Sequence, residues 1–98
     1  MTVSLSREVF ESCLNKKFKA TFSKDLTYDL VLVNIKVSKK IESLDIEPYS
    51  LLFRAERSQE IFNQGLVQLW SEVTGDISLF LIPRLPDNDW IFYEAIIS

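Results

Sequence analysis

The chain has 98 residues, 47% hydrophobic and 26% charged, with two Gly, three Pro, one Cys and no His, which bounds it to a single domain over residues 1–98 with one core. An aromatic content of 12% is foreign to disordered chains, and no apolar run reaches the roughly 18 residues of a membrane-spanning helix. The formal charge of −3 is uneven along the chain. Residues 1–40 carry eight Lys or Arg against four Asp or Glu, and residues 41–98 carry three against ten, giving +4 and −7. These charges cancel if strands of both parts interleave in one sheet.

The N-terminus lacks a basic stretch followed by a long apolar core, so no secretory signal is read and a cytoplasmic location is expected. Leu5, Val9, Phe10, Cys13 and Leu14 recur at helical spacing, Ser4 or Ser6 can cap them, and Glu8 lies near the positive end; a short amphipathic helix ending at Asn15 follows. The period then changes to two. In Lys17 to Phe22 the residues Phe18, Ala20 and Phe22 share the inward phase of a strand.

After Ser23-Lys24-Asp25, the stretch Leu26 to Val37 reads as a long strand with Val31, Val33, Ile35 and Val37 on one face and Tyr28, Leu30 and Leu32 on the other. Ser38 to Pro48 is the longest polar connection. Tyr49 to Ala55 is a strand with Tyr49, Leu51, Phe53 and Ala55 inward and Ser50 and Arg54 outward. A second charged connection, Glu56 to Gln64, leads through Gly65 into Leu66 to Val73. A tight Thr74-Gly75-Asp76 link to Ile77 to Ile82 then makes a β-hairpin. Pro83 to Asp89 is a loop and Trp90 to Ile97 a final strand. The expected fold is mostly β: a small antiparallel barrel or sandwich of about six strands with one short N-terminal helix.

Catalytic chemistry is hard to assemble from these residues. Without His, the commonest general acid-base group and the usual zinc and thiol-imidazole partners are missing, and one cysteine makes no intramolecular disulfide. Cys13 lies on the apolar helix face as a small hydrophobe. Glu94 interrupts an apolar strand and is the one candidate for acid-base work, but a strand carboxylate facing solvent or pairing with Arg54 or Arg84 is the stronger expectation. Asp76, Asp87, Asn88 and Asp89 lack the spacing of a calcium loop and read as turn residues. No enzyme activity, cofactor or metal is expected.

Lys16, Lys17, Lys19 and Lys24 cluster near Phe18 and Phe22, as in small barrels that stack bases, but those rings share the inward phase and the pI is near 4.9. No nucleic-acid partner is expected. Trp70 and Trp90 instead lie in phase with polar residues, and together on one face they would form an anchor patch for a protein. Trp70, Trp90, Arg54 and Glu94 are therefore the expected partner-binding residues of a monomer or homodimer.

Tyr49-Ser50-Leu51-Leu52-Phe53-Arg54, Gln64-Gly65, Leu79-Phe80-Leu81-Ile82-Pro83 and Tyr93-Glu94-Ala95 follow one another across nearly the whole chain. In that order they resemble a small bacterial all-β domain family of unassigned function. Genes of that family are often found beside those of tail-collar fibre proteins, so the resemblance implies an adaptor or assembly factor for a phage-tail-like or fibre protein. The alternative from charge alone is a small acidic immunity or inhibitor protein, steered onto a basic toxin or enzyme by the −7 balance of residues 41–98.

Overall fold

The computed structural model describes residues 7–24, 26–37, 48–56, 61–87 and 89–97. The candidate caps Ser4 and Ser6 and most of the Ser38 to Pro48 connection lie outside them. Six strands follow one helix: α1 (Arg7–Glu11), β1 (Lys17–Ser23), β2 (Leu26–Val37), β3 (Tyr49–Glu56), β4 (Gly65–Ser71), β5 (Gly75–Pro83) and β6 (Trp90–Ile97). They close into an antiparallel barrel in the order β1-β2-β3-β6-β5-β4. Of the two expected architectures, the barrel is the one formed.

The order contains two Greek keys. β1, β2 and β3 are sequential neighbours with β4 returning beside β1; β4, β5 and β6 are sequential neighbours with β3 beside β6. One connection, from β3 to β4, serves both. Closure gives every strand a neighbour on both sides, and it sets β1 and β2 of the basic part of the chain against β4 and β3 of the acidic part. The two charges therefore share one barrel.

The strands do not all pair to the same extent. β3 pairs with β6 along its whole length, from Tyr49 opposite Ile97 to Glu56 opposite Trp90, and β4 pairs with β5 from Gly65 opposite Leu81 to Ser71 opposite Gly75. By contrast β1 meets β4 only from Lys19 to Thr21, and β5 meets β6 only at Ile82 and Pro83. The molecule is thus a four-stranded sheet closed by the β4-β5 hairpin along two short seams.

Alternation accounts for the core. Phe18 and Ala20 of β1, Tyr49, Leu51, Phe53 and Ala55 of β3, and Val67 and Leu69 of β4 are buried in the expected phase. β2 departs from it. Its pairing with β3 slips between Leu32 and Asn34, leaving Val33 as the extra residue of a β-bulge. Leu30 and Leu32 point inward before the bulge, and Ile35 packs on the core after it, so the four residues read as one face are divided between two.

The helix proper stops at Glu11, and a turn carries the chain to Asn15, whose φ of 65° is left-handed geometry that Asn tolerates. The Asn15 N–H donates to Leu32 O at 2.6 Å, fixing this turn to β2. Phe10 and Cys13 are thereby buried, with the Phe10 ring 6.3 Å from that of Tyr49 at the first residue of β3. Near the far end of the strands, Phe62 of the β3-β4 connection stacks on Phe22 at 4.5 Å and 7°. A second bulge, between Thr21 and Ser23, carries Phe22 toward it. The hairpin turns at Glu72–Thr74, slightly earlier than expected. There Thr74 N–H donates to Ser71 Oγ at 3.0 Å, the two hydroxyls meet at 2.8 Å, and Gly75 takes a φ of 68°.

Two buried tyrosines make opposite use of their hydroxyls. Tyr93 Oη accepts the Phe62 N–H at 3.1 Å, whereas Tyr49 Oη is buried with no hydrogen-bond partner among the described residues. Removing an unsatisfied hydroxyl relieves a desolvation cost, but removing an acceptor creates one. Tyr93→Phe is therefore expected to destabilise the fold by about 1–2 kcal/mol, and Tyr49→Phe to leave it unchanged or stabilise it by up to about 1 kcal/mol, both read by urea unfolding. Burial pushes both phenols above their usual value of 10.0; Glu8 raises Tyr49 further and Arg7 opposes it, while at Tyr93 the Phe62 N–H opposes the rise and Tyr28 adds to it. The folded chain holds these protons where the unfolded chain has lost them. Stability is thus full below about pH 10 and falls as pH rises from there through the folded values, less steeply in Tyr49→Phe.

Candidate partner-binding surface

On the outside of β4, β5 and β6 the alternation that fills the core leaves an apolar row. With Val67 and Leu69 inward, Leu66 must point out; with Leu79 and Leu81 inward, so must Phe80. Leu66 and Phe80 are direct cross-strand partners, 73% and 50% exposed. The β5-β6 register, Ile82 opposite Glu94, sets Phe80 across from Ile96 when continued by two residues, and Ile96 is 63% exposed. Half-buried Ile82 and Leu52 lie in the next row on either side of Glu94. Gln68 and Ser78, hydrogen-bonded to each other at 3.2 Å, border the row. Large apolar side chains side by side and open to water are what a protein interface uses.

The four expected partner residues fall in different places. Glu94 is at the margin of this apolar row, its side chain 26% exposed and 3.8 Å from Arg84 Nη1. That is the ion-pair reading of the residue, with Arg84 as the partner. Trp70 is 42% exposed on β4, where its register partners are Lys19 and Asp76. It lines an open cleft of about 500 Å³ with Lys16, Lys17, Lys19 and Glu72. Trp90, half-buried at the start of β6, lies under the Arg54 guanidinium, whose Cζ is 4.1 Å from the ring centroid.

The two tryptophans do not form a single anchor. On one side β1, β2 and β3 lie between them, on the order of 19 Å at the usual interstrand spacing. On the other, β5 lies between their strands, but Trp70 faces its start at Asp76 while Trp90 lies beyond its last residue, Pro83, which pairs with Tyr93. A second cleft of about 310 Å³ beside Trp90 shares Lys17 and Asp29 with the first, so the tryptophans flank a mixed-charge surface. Sequence reasoning passed over Leu66, Phe80 and Ile96. The signal was present in the phase of their strands, but Ile77 to Ile82 is apolar at nearly every position and names no outer face by itself.

The acidic run near residue 87 is a turn. Asp87 Oδ1 accepts the N–H groups of Asp89 and Trp90 at 2.9 and 2.6 Å, which commits that oxygen to its own loop. Among the described residues no group of three or more Cys, Asp or Glu is arranged to hold a metal ion, and no helix is long and apolar enough to cross a membrane. Cys13 is a buried free thiol.

Fold and surface together define a small Greek-key barrel, closed on itself, that carries one row of exposed apolar residues, Leu66, Phe80 and Ile96, on the outside of β4, β5 and β6. The chain belongs to the family described as a domain of unknown function, DUF6916, whose model matches residues 5–97. No curated protein and no solved structure matches it.

Proposed function

We propose that the chain is a non-enzymatic protein-binding module that docks a partner through the outer face of β4, β5 and β6. The observation that carries this reading is the row of Leu66, Phe80 and Ile96, three large apolar side chains at least half exposed on neighbouring strands. A closed barrel gains nothing for its own stability from apolar groups left in water, and burying them against a partner is favourable by about 25 cal/mol per Å². The partner is a tail-collar or fibre protein, and the role that of an adaptor or assembly factor in the cytoplasm. This finer assignment rests on the family resemblance alone. The apolar row favours it over the acidic-inhibitor reading, which needs charge rather than hydrophobic area at the contact.

The test is coexpression of the tagged chain with a tail-collar or fibre protein of its own host, followed by capture and measurement of affinity. Binding that survives high salt is expected, and Phe80→Glu is expected to weaken it by about 30-fold or more, the size of an interfacial hot spot. Phe80 packs in no core, so the same substitution is expected to change unfolding stability by no more than about 0.5 kcal/mol. Unchanged affinity in Phe80→Glu would remove this face from the interface. Failure of every tail-collar and fibre protein of that host to bind would remove the partner class.

A further inference from the structure

We propose that Arg54, set over the Trp90 ring, receives a single carboxylate from a peptide segment of the partner, with Lys17 as the second cation. This rests on the protein-binding reading above and adds the chemistry of a second contact. Lys17, Val31 and Arg54 lie in one register row across β1, β2 and β3, which puts the two cationic residues on either side of Val31. Their backbones are about 10 Å apart by the usual strand spacing, a gap that two long side chains can close over one small anion. The cleft between them, about 310 Å³, is lined by Lys17, Asp29, Val31, Arg54, Glu56 and Trp90.

Neither cation is neutralised by an acid among the described residues. Among the described residues Arg54 and Lys17 form no ion pair, and Arg54 Nε is buried without an acceptor. What holds Arg54 is the Trp90 ring, with Cζ 4.1 Å from its centroid. Contact with the ring restrains the guanidinium and leaves its two Nη nitrogens as a donor fork, which matches the two oxygens of a carboxylate. A fork already held in place loses little freedom on binding.

Two acids in the same cleft decide the charge of the ligand. Asp29 and Glu56 line it without pairing to either cation, and they repel a dianion more strongly than a monoanion. A carboxylate suits this balance better than a phosphate. The cleft is also open and at the lower end of the volumes that enclose small molecules, so one carboxylate binds weakly unless a larger partner carries it. Trp90 and Ile96 both point outward on β6, six residues and about 20 Å apart, so one segment can reach both the fork and the apolar row.

The experiment is a nuclear magnetic resonance titration of the intact, nitrogen-labelled chain, reading Arg54 Nε–H and the Trp90 indole N–H. The probe is a capped tetrapeptide of three glycines and one glutamate; the same peptide with glutamine in place of the glutamate, and inorganic phosphate, are the controls. Saturable shifts of both signals with the glutamate peptide alone are expected, and Arg54→Lys, which keeps the charge and loses the fork, is expected to weaken binding by about tenfold. Absence of saturable shifts, equal binding by Arg54→Lys, or phosphate binding as tightly as the peptide would each overturn the proposal. Phe80→Glu is expected to leave the peptide shifts intact while losing the partner. Failure of the apolar face and failure of the carboxylate site are thereby read separately.

Discussion

Phe53→Ala is expected to destabilise the barrel by about 3–5 kcal/mol, the usual range for deleting a fully buried aromatic ring. Phe53 has no exposed surface and lies in β3, whose neighbours β2 and β6 present Leu32 and Tyr93 directly across from it. Its ring meets that of Phe18, from β1, edge to face at 5.3 Å and 85°. One side chain thus joins four adjacent strands of the wall. A closed wall has little room to collapse into the space left behind, because moving any strand inward disrupts backbone hydrogen bonds on both of its sides. Domains of this size are stable by about 5–15 kcal/mol, so the loss is a large fraction of the total and is read directly from urea or thermal unfolding. Phe53→Leu, which fills most of the volume, is expected to cost less than about half as much. A loss below about 1 kcal/mol for the alanine variant would mean that the barrel wall yields far more easily than its hydrogen bonding implies.

How far the fold was legible depended on whether a strand keeps one phase along its length. β3 and β4 do, and their inward residues, from Tyr49 to Ala55 and from Val67 to Ser71, were readable by alternation alone. β2 does not. The bulge at Val33 reverses the phase of everything after it, and a run of alternating β-branched residues carries no local mark of where that happens. The early stop of α1 was likewise unreadable, because Cys13 and Leu14 continue the helical spacing while the chain has already turned toward Asn15.

Closure was legible only in outline, since the β1-β4 and β3-β6 pairings join residues far apart in sequence. The same non-local pairing governed the site. Outward phases of Trp70 and Trp90 could be read from Gln68, Glu72 and Glu94, but their separation around the barrel follows from which strands are neighbours. The contact of Arg54 with Trp90 depends on β3 and β6 running side by side with Glu56 opposite Trp90. No property of either residue announces it. Leu66 and Phe80 form the converse case: their pairing follows from the hairpin, yet their exposure becomes meaningful only once β5 is known to cover no second layer.

The second large effect is expected from Phe62→Ala, at about 2–4 kcal/mol, because this half-buried ring anchors the connection shared by both Greek keys. Phe62 stacks on Phe22 of β1 and lies 5.8 Å from Tyr28 of β2, while its backbone N–H donates to Tyr93 Oη of β6. Three strands of the four-stranded sheet therefore hold the segment that leads into β4. The hairpin it feeds is otherwise joined to that sheet by the short Lys19–Thr21 seam on one side and by Ile82 and Pro83 on the other. Few backbone bonds hold those seams, so local opening there needs less free energy than opening the β3-β6 pairing. Losing the ring is expected to show first in hydrogen exchange, with faster exchange at Lys19–Thr21 and Gln68–Trp70 than at Leu51 to Arg54. Uniform acceleration through all six strands would instead mean that the hairpin and the sheet open as one unit. Phe62→Leu is expected to recover part of the stability but not the stacking on Phe22, which separates filled volume from ring geometry. Because Leu66 and Phe80 ride on the hairpin, the variant also bears on the partner surface: a loosened hairpin leaves both residues in place chemically but no longer fixed in one row with Ile96.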